Sequence, residues 1–272
     1  VENPDAGVGG SLVLLLFVDL DPDLAALRPL GGFFVLRTLR SAAGDTEAAR
    51  IKELSSLGKA YKKDTSDVYR DVLTFRVGLV ADRLRTREPR VAASIAQQGL
   101  AARLWSVTLG CAVRYGRLPD LDPRLLRWDA GAGAPDDLWL TEVRALPGGA
   151  GPDTLADAVV GGHLEPLAAA LRDRYGVAAG LLWGNAGSAL AGAGRELERW
   201  ALAGGRTEAV GRTRALVDAL FAHPLLSTTG VRTGPAYRRR SCCLYYRVPG
   251  GGVCGDCCFT QPPCSSAGAP SG

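Results

Sequence analysis

Five of the chain's seven cysteines crowd into positions 242 to 258, and no other feature limits the fold as much. The segment reads Arg238-Arg-Arg-Ser-Cys-Cys-Leu-Tyr-Tyr-Arg-Val-Pro-Gly-Gly-Gly-Val-Cys-Gly-Asp-Cys-Cys-Phe259. Cys242, Cys243, Cys254 and Cys257 stand in a CC-x10-C-x2-C arrangement. Pro249 to Gly252 lets the chain reverse tightly between the two pairs, and glycine lets backbone N–H groups come close to sulfur. Four thiolates can therefore converge in a loop that packs against the rest of the chain.

Zinc and iron–sulfur clusters both accept four thiolates, and a CxxC half-site suits either. The adjacent pair Cys242-Cys243 suits zinc less well. Structural zinc sites draw each pair from a turn with two to four intervening residues, and neighbouring cysteines on one tetrahedral ion strain the backbone. Spacing favours a two-iron, two-sulfur (2Fe-2S) cluster, with a zinc-stabilised binding module lacking redox activity as the alternative. A cluster on four thiolates is an anion that needs compensation. Residues 231 to 272 carry Arg232, Arg238, Arg239, Arg240 and Arg247 against Asp256 alone, so the whole net charge of +4 sits beside the cysteines. Arg238, Arg239, Arg240 and Arg247 can favour the reduced state and steer an anionic partner to the site.

The remaining chain has the material for a core: 272 residues, 47% hydrophobic and 22% charged. The excess of arginine over lysine reads as compositional bias, not as an adaptation for binding. Apolar residues recur at helical spacing from Val72 to Arg85 and from Arg90 to Tyr115, predicting two helices. Leu118 to Pro123 is punctuation, and Leu125 to Trp128 with Leu138 to Val143 are patterned as a hairpin or two strands. Asp153 to Val160 starts a helix that Gly161-Gly162 interrupts, and Pro166 opens another running to Tyr175. Helices follow over 178–203 and 206–222. The expected class is mainly α with a small β component (α+β), ending in a cysteine-rich cluster-binding loop. The expected division is an N-terminal segment over 1–43, a polar linker or surface helix over 44–70 holding every lysine, a helical body over 71–229, the cluster-binding region over 230–259 and a disordered tail over 260–272.

Ser11 to Val18 is too short to span a bilayer and follows Glu2 and Asp5 where a leader would be basic, so it reads as a buried strand or helix. The uncharged stretch from Gly176 to Gly194 carries glycines, Asn185 and Ser188, which suits a tightly packed internal helix. No transmembrane segment or signal peptide is expected. In a reducing cytosol the cysteines are poor material for disulfides. The sequence has no methionine and starts at Val1, which leaves the N-terminal boundary open. His163 and His223 lie at predicted helix boundaries, where capping or solvation is the ordinary role. Neither has a Ser, Cys or carboxylate partner motif of a hydrolase. No helix-turn-helix pattern accompanies the basic segment and the body is electrically balanced, which argues against a cluster-bearing DNA sensor and against nucleic-acid partners. Cys111 sits in an apolar run and reads as a small core residue.

The cysteine segment resembles the C-terminal signature of FhuF-type ferric siderophore reductases. Val91 to Ser94, Gly99 to Trp105, Leu118 to Leu121, Leu182 to Asn185 and His223 to Leu226 are similar to the high-GC actinobacterial branch of that family. The similarity runs from about Leu27 to Phe259 and is weakest over 40–85. The resemblance implies that Cys242, Cys243, Cys254 and Cys257 hold the 2Fe-2S cluster. It implies a cytoplasmic oxidoreductase, free or peripheral at the inner face of the membrane, that reduces Fe(III) bound to a siderophore. A ferredoxin, a flavin reductase or another NAD(P)H-linked reductase would supply the electrons. Tyr245, Tyr246 and Arg247 are the expected docking surface, with Arg232, Arg238, Arg239 and Arg240 adding charge. Cys258 and Cys264 fall outside the family pattern. Cys258 is either a dispensable tail thiol or a substitute for Cys257.

Overall fold

The computed structural model describes residues 20–62 and 71–263. The apolar run Ser11 to Val18, the end of the polar stretch from Lys63 and the tail from Cys264 lie outside the described residues.

The fold is built around one long helix. Ten α-helices are described, α1 (Asp21–Ala25), α2 (Asp45–Glu53), α3 (Leu57–Ala60), α4 (Val72–Leu84), α5 (Pro89–Tyr115), α6 (Pro152–Ala156), α7 (Glu165–Tyr175), α8 (Ala179–Ala203), α9 (Thr207–Phe221) and α10 (Pro224–Ser227). Helix α5 opens on Pro89, whose missing N–H has no intrahelical partner to lose there, and stops where Gly116 turns left-handed (φ 66°). Its residues from Val91 to Val113 are buried on nearly every side, as expected of an axis wrapped by other helices. Helices α4, α7, α8 and α9 pack around it.

Helix α8 pairs with α5 along most of its length, and small residues let other elements come close to it. Gly187 lies where a Cβ would meet Tyr237 Oη at 2.6 Å and Thr229 Oγ1 at 2.7 Å. The chain is mainly helical with two small sheets, the class expected from its sequence. In the first sheet β2 (Leu126–Trp128) runs antiparallel to β3 (Leu138–Leu140), placing Leu126 opposite Leu140 and Trp128 opposite Leu138. Strand β1 (Arg37–Thr38), not anticipated in the sequence, runs parallel to β3. The second sheet is the hairpin β4 (Gly230–Thr233) and β5 (Ala236–Arg239), which docks on α8.

Two sequence expectations change. Gly161-Gly162 does not interrupt the helix: α6 continues into α7 through a π-helical stretch, Asp157–Leu164. A proline in a continuous helix removes a hydrogen bond and crowds the preceding turn. The wider turn just before Pro166 accommodates both effects. His163 is accordingly a core residue, 0% exposed, instead of a boundary residue. Its Nδ1 lies 2.7 Å from Tyr61 Oη and its Nε2 2.7 Å from the Leu121 carbonyl. Burial pulls its pKa down to about 4. His223 does cap a helix, accepting from the Leu225 N–H at the start of α10.

Within the polar stretch 44–70, α2 and α3 bury Ile51 and Leu57. Cys111 is buried in the core, its thiol pushed up to about 12 chiefly by desolvation. Arg103, 1% exposed, ties α5 to the N-terminal turns: Nε meets Asp137 at 3.0 Å, and Nη1 donates to the carbonyls of Gly32 and Phe33. Among the described residues no helix is long and apolar enough to cross a membrane.

Candidate metal centre

The site begins with the alternation of β5. Successive side chains of a strand face opposite ways, so Tyr237 and Arg239 turn inward while Arg238 and Arg240 stay exposed. Beyond β5 the chain crosses α8 at Gly184, where a Cβ would meet Ser241 Oγ at 2.1 Å. Ser241 instead donates to the Gly180 carbonyl at 2.8 Å. Cys242 and Cys243 follow, and Leu244 takes a left-handed conformation (φ 67°) that turns the chain into a short 3-10 segment, Tyr245–Arg247. The return passes Gly251, where a Cβ would lie 2.3 Å from the Tyr245 carbonyl oxygen, so only glycine fits. Cys254 to Cys257 then forms a tight turn, the Cys257 N–H donating to the Cys254 carbonyl at 3.0 Å.

The turn is fastened to α8 through Asp256. Its backbone carbonyl accepts from the Arg239 N–H at 3.0 Å. Its carboxylate accepts from Ser188 Oγ at 2.5 Å and pairs with Arg195 at 3.2 Å.

The cysteines fall into two groups. Cys243 Sγ and Cys254 Sγ are 3.6 Å apart. The sulfurs of Cys242, Cys257 and Cys258 lie within 4.8 Å of one another. All five are free thiols. Each of the four cysteines of the motif has a backbone N–H two residues on directed at its sulfur. Leu244 N–H reaches Cys242 at 3.2 Å and Phe259 N–H reaches Cys257 at 3.4 Å. The N–H groups of Tyr245 and Asp256 act on Cys243 and Cys254. The hydrogen bond shared with Cys254, helped by Tyr245 N–H and the Arg239 charge, brings the Cys243 thiol down to about 7, while the same bond raises Cys254. Desolvation raises Cys242 and Cys258.

The expected docking residues separate. Arg239 is not on the surface: it is 2% exposed, its Nη1 3.9 Å from Cys254 Sγ and its Nη2 donating to Asn185 Oδ1. The reason is its inward place on β5 beneath the thiols. Arg238 is exposed and donates to the Cys258 carbonyl at 3.1 Å. Arg240 is also exposed, 3.4 Å from the Thr228 carbonyl. Arg247 pairs with Glu88 at 2.7 Å and holds that carboxyl below its ordinary range. Arg232 lies away from the loop, paired with Asp218 and stacked over Phe221. Tyr245 is exposed, and Tyr246 meets Phe259 edge to face. Sequence reasoning missed the roles of Ser94, Asn185, Ser188, Arg195 and Asp256. The available signal was a polar side chain inside an otherwise apolar helix, at Ser94 in α5 and at Asn185 and Ser188 in α8.

A mainly helical body that gathers five free thiols in one loop has the makings of a metal-binding protein. Residues 239–259 match the family model described as the FhuF 2Fe-2S C-terminal domain. No curated protein matches the chain. The cofactor is a 2Fe-2S cluster, and the loop fits it. The thiols are gathered, N–H groups point at sulfur, and a buried cation offsets the anion. Arg239 Nε is, moreover, a buried donor without a hydrogen-bond partner among the described residues.

Proposed function

We propose that the chain reduces Fe(III) held by a siderophore, using a 2Fe-2S cluster on Cys242, Cys243, Cys254 and Cys257. The observation that carries this reading is the grouping of thiols with their N–H donors over a buried arginine, in the segment that matches the FhuF domain. When bound, the cluster supplies one electron at a time. The thiols of Cys243 and Cys254 belong to one side of the centre and those of Cys242 and Cys257 to the other. Cys258 is also close to Cys242 and Cys257; because it falls outside the CC-x10-C-x2-C pattern, we assign it as a reserve thiol and not as a required ligand.

The acceptor is iron in hard oxygen ligands, which favour the higher charge. One electron converts Fe(III) to Fe(II), and the weakened chelate releases the metal with its organic part intact. Tyr245, Val253 and Phe259 are exposed around the cysteines and offer an apolar docking face. Arg238, Arg240 and Arg247 are exposed as well, and their charge attracts an anionic ferric chelate. A ferredoxin or an NAD(P)H-linked reductase in the cytoplasm restores the electron.

The test is anaerobic purification with iron, sulfide and zinc analysis, visible spectra with and without dithionite, and then a ferric siderophore assay with a ferrous trap. About two irons and two sulfides per chain, bleaching on reduction, with trapped Fe(II), is expected. Cys258→Ser should keep the spectrum, whereas Ser at any of the other four positions should lose or alter it. Colourless protein holding zinc after reconstitution would overturn the reading in favour of a structural zinc site.

A further inference from the structure

Three buried polar residues from three separate elements meet beneath the thiols. Arg239 of β5 donates through Nη2 to Asn185 Oδ1 of α8. Asn185 Nδ2 donates to Ser94 O at 2.9 Å and contacts Ser94 Oγ at 3.0 Å. Ser94 Oγ of α5 then donates to the Cys243 carbonyl at 2.8 Å. The chain of contacts therefore starts at Cys254 Sγ, passes through both central helices and returns to the backbone of Cys243, the thiol partner of Cys254. Ser94 and Asn185 are each 0% exposed.

Burying a guanidinium is unfavourable unless an anion or full hydrogen bonding compensates it. Arg239 has neither in the protein side chains alone. Asn185 is neutral, Arg239 Nε is without a hydrogen-bond partner among the described residues, and the nearby Asp256 carboxylate is engaged by Ser188 and Arg195. The natural counter-charge is the thiolate centre above it. We infer that Arg239 is the residue that sets the reduction potential of the centre, held against Cys254 by Asn185 and Ser94, while the exposed arginines around it serve encounter and not potential. Asn185 and Ser94 are positioning residues: a neutral amide fixes the guanidinium without cancelling its charge.

The charge state of the centre explains the direction. One-electron reduction adds a negative charge, so a fixed cation a few ångströms away favours the reduced form. Burial protects that effect from salt, whereas Arg238 and Arg240 are screened.

The inference rests on the cluster being held by these cysteines and is independent of the acceptor. Its test is a spectroscopic redox titration of the loaded protein, with visible and EPR spectra recorded for each variant. Arg239→Gln should disfavour reduction by at least tenfold, a downward shift of 59 mV or more for a one-electron couple. Asn185→Asp keeps the side-chain size and the arginine, neutralises the arginine's charge at the loss of the Nδ2 donation to Ser94, and should lower the potential in the same direction. Arg239→Lys should recover part of the loss, and Arg240→Gln should leave the potential unchanged. The Arg239→Gln shift should persist when salt is raised. An unchanged potential in both Arg239→Gln and Asn185→Asp would overturn the inference, as would an equal shift in Arg240→Gln. If Arg239→Gln fails to take up the cluster, Arg239→Lys takes its place, and a potential unchanged in both Arg239→Lys and Asn185→Asp overturns the inference. Failure of the unaltered protein to take up any cluster would instead refute the proposed function.

Discussion

The same substitution at two glycines should have opposite consequences. Glycine in a helix interior costs about 1 kcal/mol relative to alanine, so Gly→Ala is stabilising wherever a methyl group has room. At Gly211, exposed in α9, a Cβ would meet nothing within 4 Å. At Gly187 in α8 it would meet the hydroxyls of Tyr237 and Thr229 at 2.6 and 2.7 Å and the Tyr237 ring at 3.3 Å. Neither neighbour moves freely, because both are buried and Tyr237 Oη donates to Thr229 Oγ1 at 2.8 Å. Overpacking of this kind costs about 1–3 kcal/mol. The helix-propensity gain is common to both variants, so Gly187→Ala should be less stable than Gly211→Ala by about 1–3 kcal/mol. Tyr237 lies on the strand that carries Arg239, so Gly187→Ala should also lower cluster content. Urea unfolding followed by far-UV circular dichroism, with iron content measured in parallel, tests both statements. Equal stabilisation by the two substitutions would refute the close seating of the hairpin on α8.

Three further outcomes are expected. The folded pKa of His163, about 4, lies below the ordinary 6.5, so between those values only the unfolded chain gains a proton. Stability is complete above pH 6.5 and falls toward pH 4 by about 3 kcal/mol; His163→Gln should flatten that dependence in urea midpoints taken across the range. Arg103→Met leaves the buried Asp137 without its cation and should cost about 3–5 kcal/mol in denaturant unfolding; a loss below about 1 kcal/mol would contradict the burial of the pair. Arg247→Ala should slow reduction of an anionic ferric chelate severalfold at low ionic strength, with the deficit closing as salt rises and the cluster spectrum unchanged; a rate equal to that of the unaltered protein would remove Arg247 from the docking surface.

What the sequence reveals follows from how locally each feature is determined. The helices α4, α5, α8 and α9 announce themselves because burial of a helix face imposes a period on the chain. The thiol centre is legible for a similar reason, since its ligands are close in sequence and chemically unusual. Arg239 is not, because an arginine next to Arg238 and Arg240 reads as one more surface charge. Its burial depends on strand alternation in a hairpin with little apolar pattern, and on Asn185, 54 positions away. The π-helical passage is hidden by the same logic: Gly161-Gly162 followed by Pro166 carries the local signature of a break, whereas the helix continues through a widened turn whose His163 is held by long-range buried bonds to Tyr61 and Leu121.

The two faces of the loop divide its work. An iron–sulfur centre that passes electrons, as proposed for this chain, needs a short route to its acceptor, which places it near the surface, and surroundings that rearrange little when the charge changes, which demands rigidity. Cys242, Cys254 and Cys257 are only partly buried, and Tyr245, Val253 and Phe259 beside them are exposed, so the outer face meets the first need. The inner face meets the second through bonds to side chains on packed helices: Ser94 on α5, and Asn185, Ser188 and Arg195 on α8. Among the described residues α5 and α8 are the two longest helices and pack directly on each other, so the bonds that orient the thiols are anchored in the helical core. A loop rich in glycine and cysteine, of whose larger apolar side chains Tyr245, Val253 and Phe259 face outward, thereby acquires a fixed shape, and the helical body is what makes that shape available to a cluster.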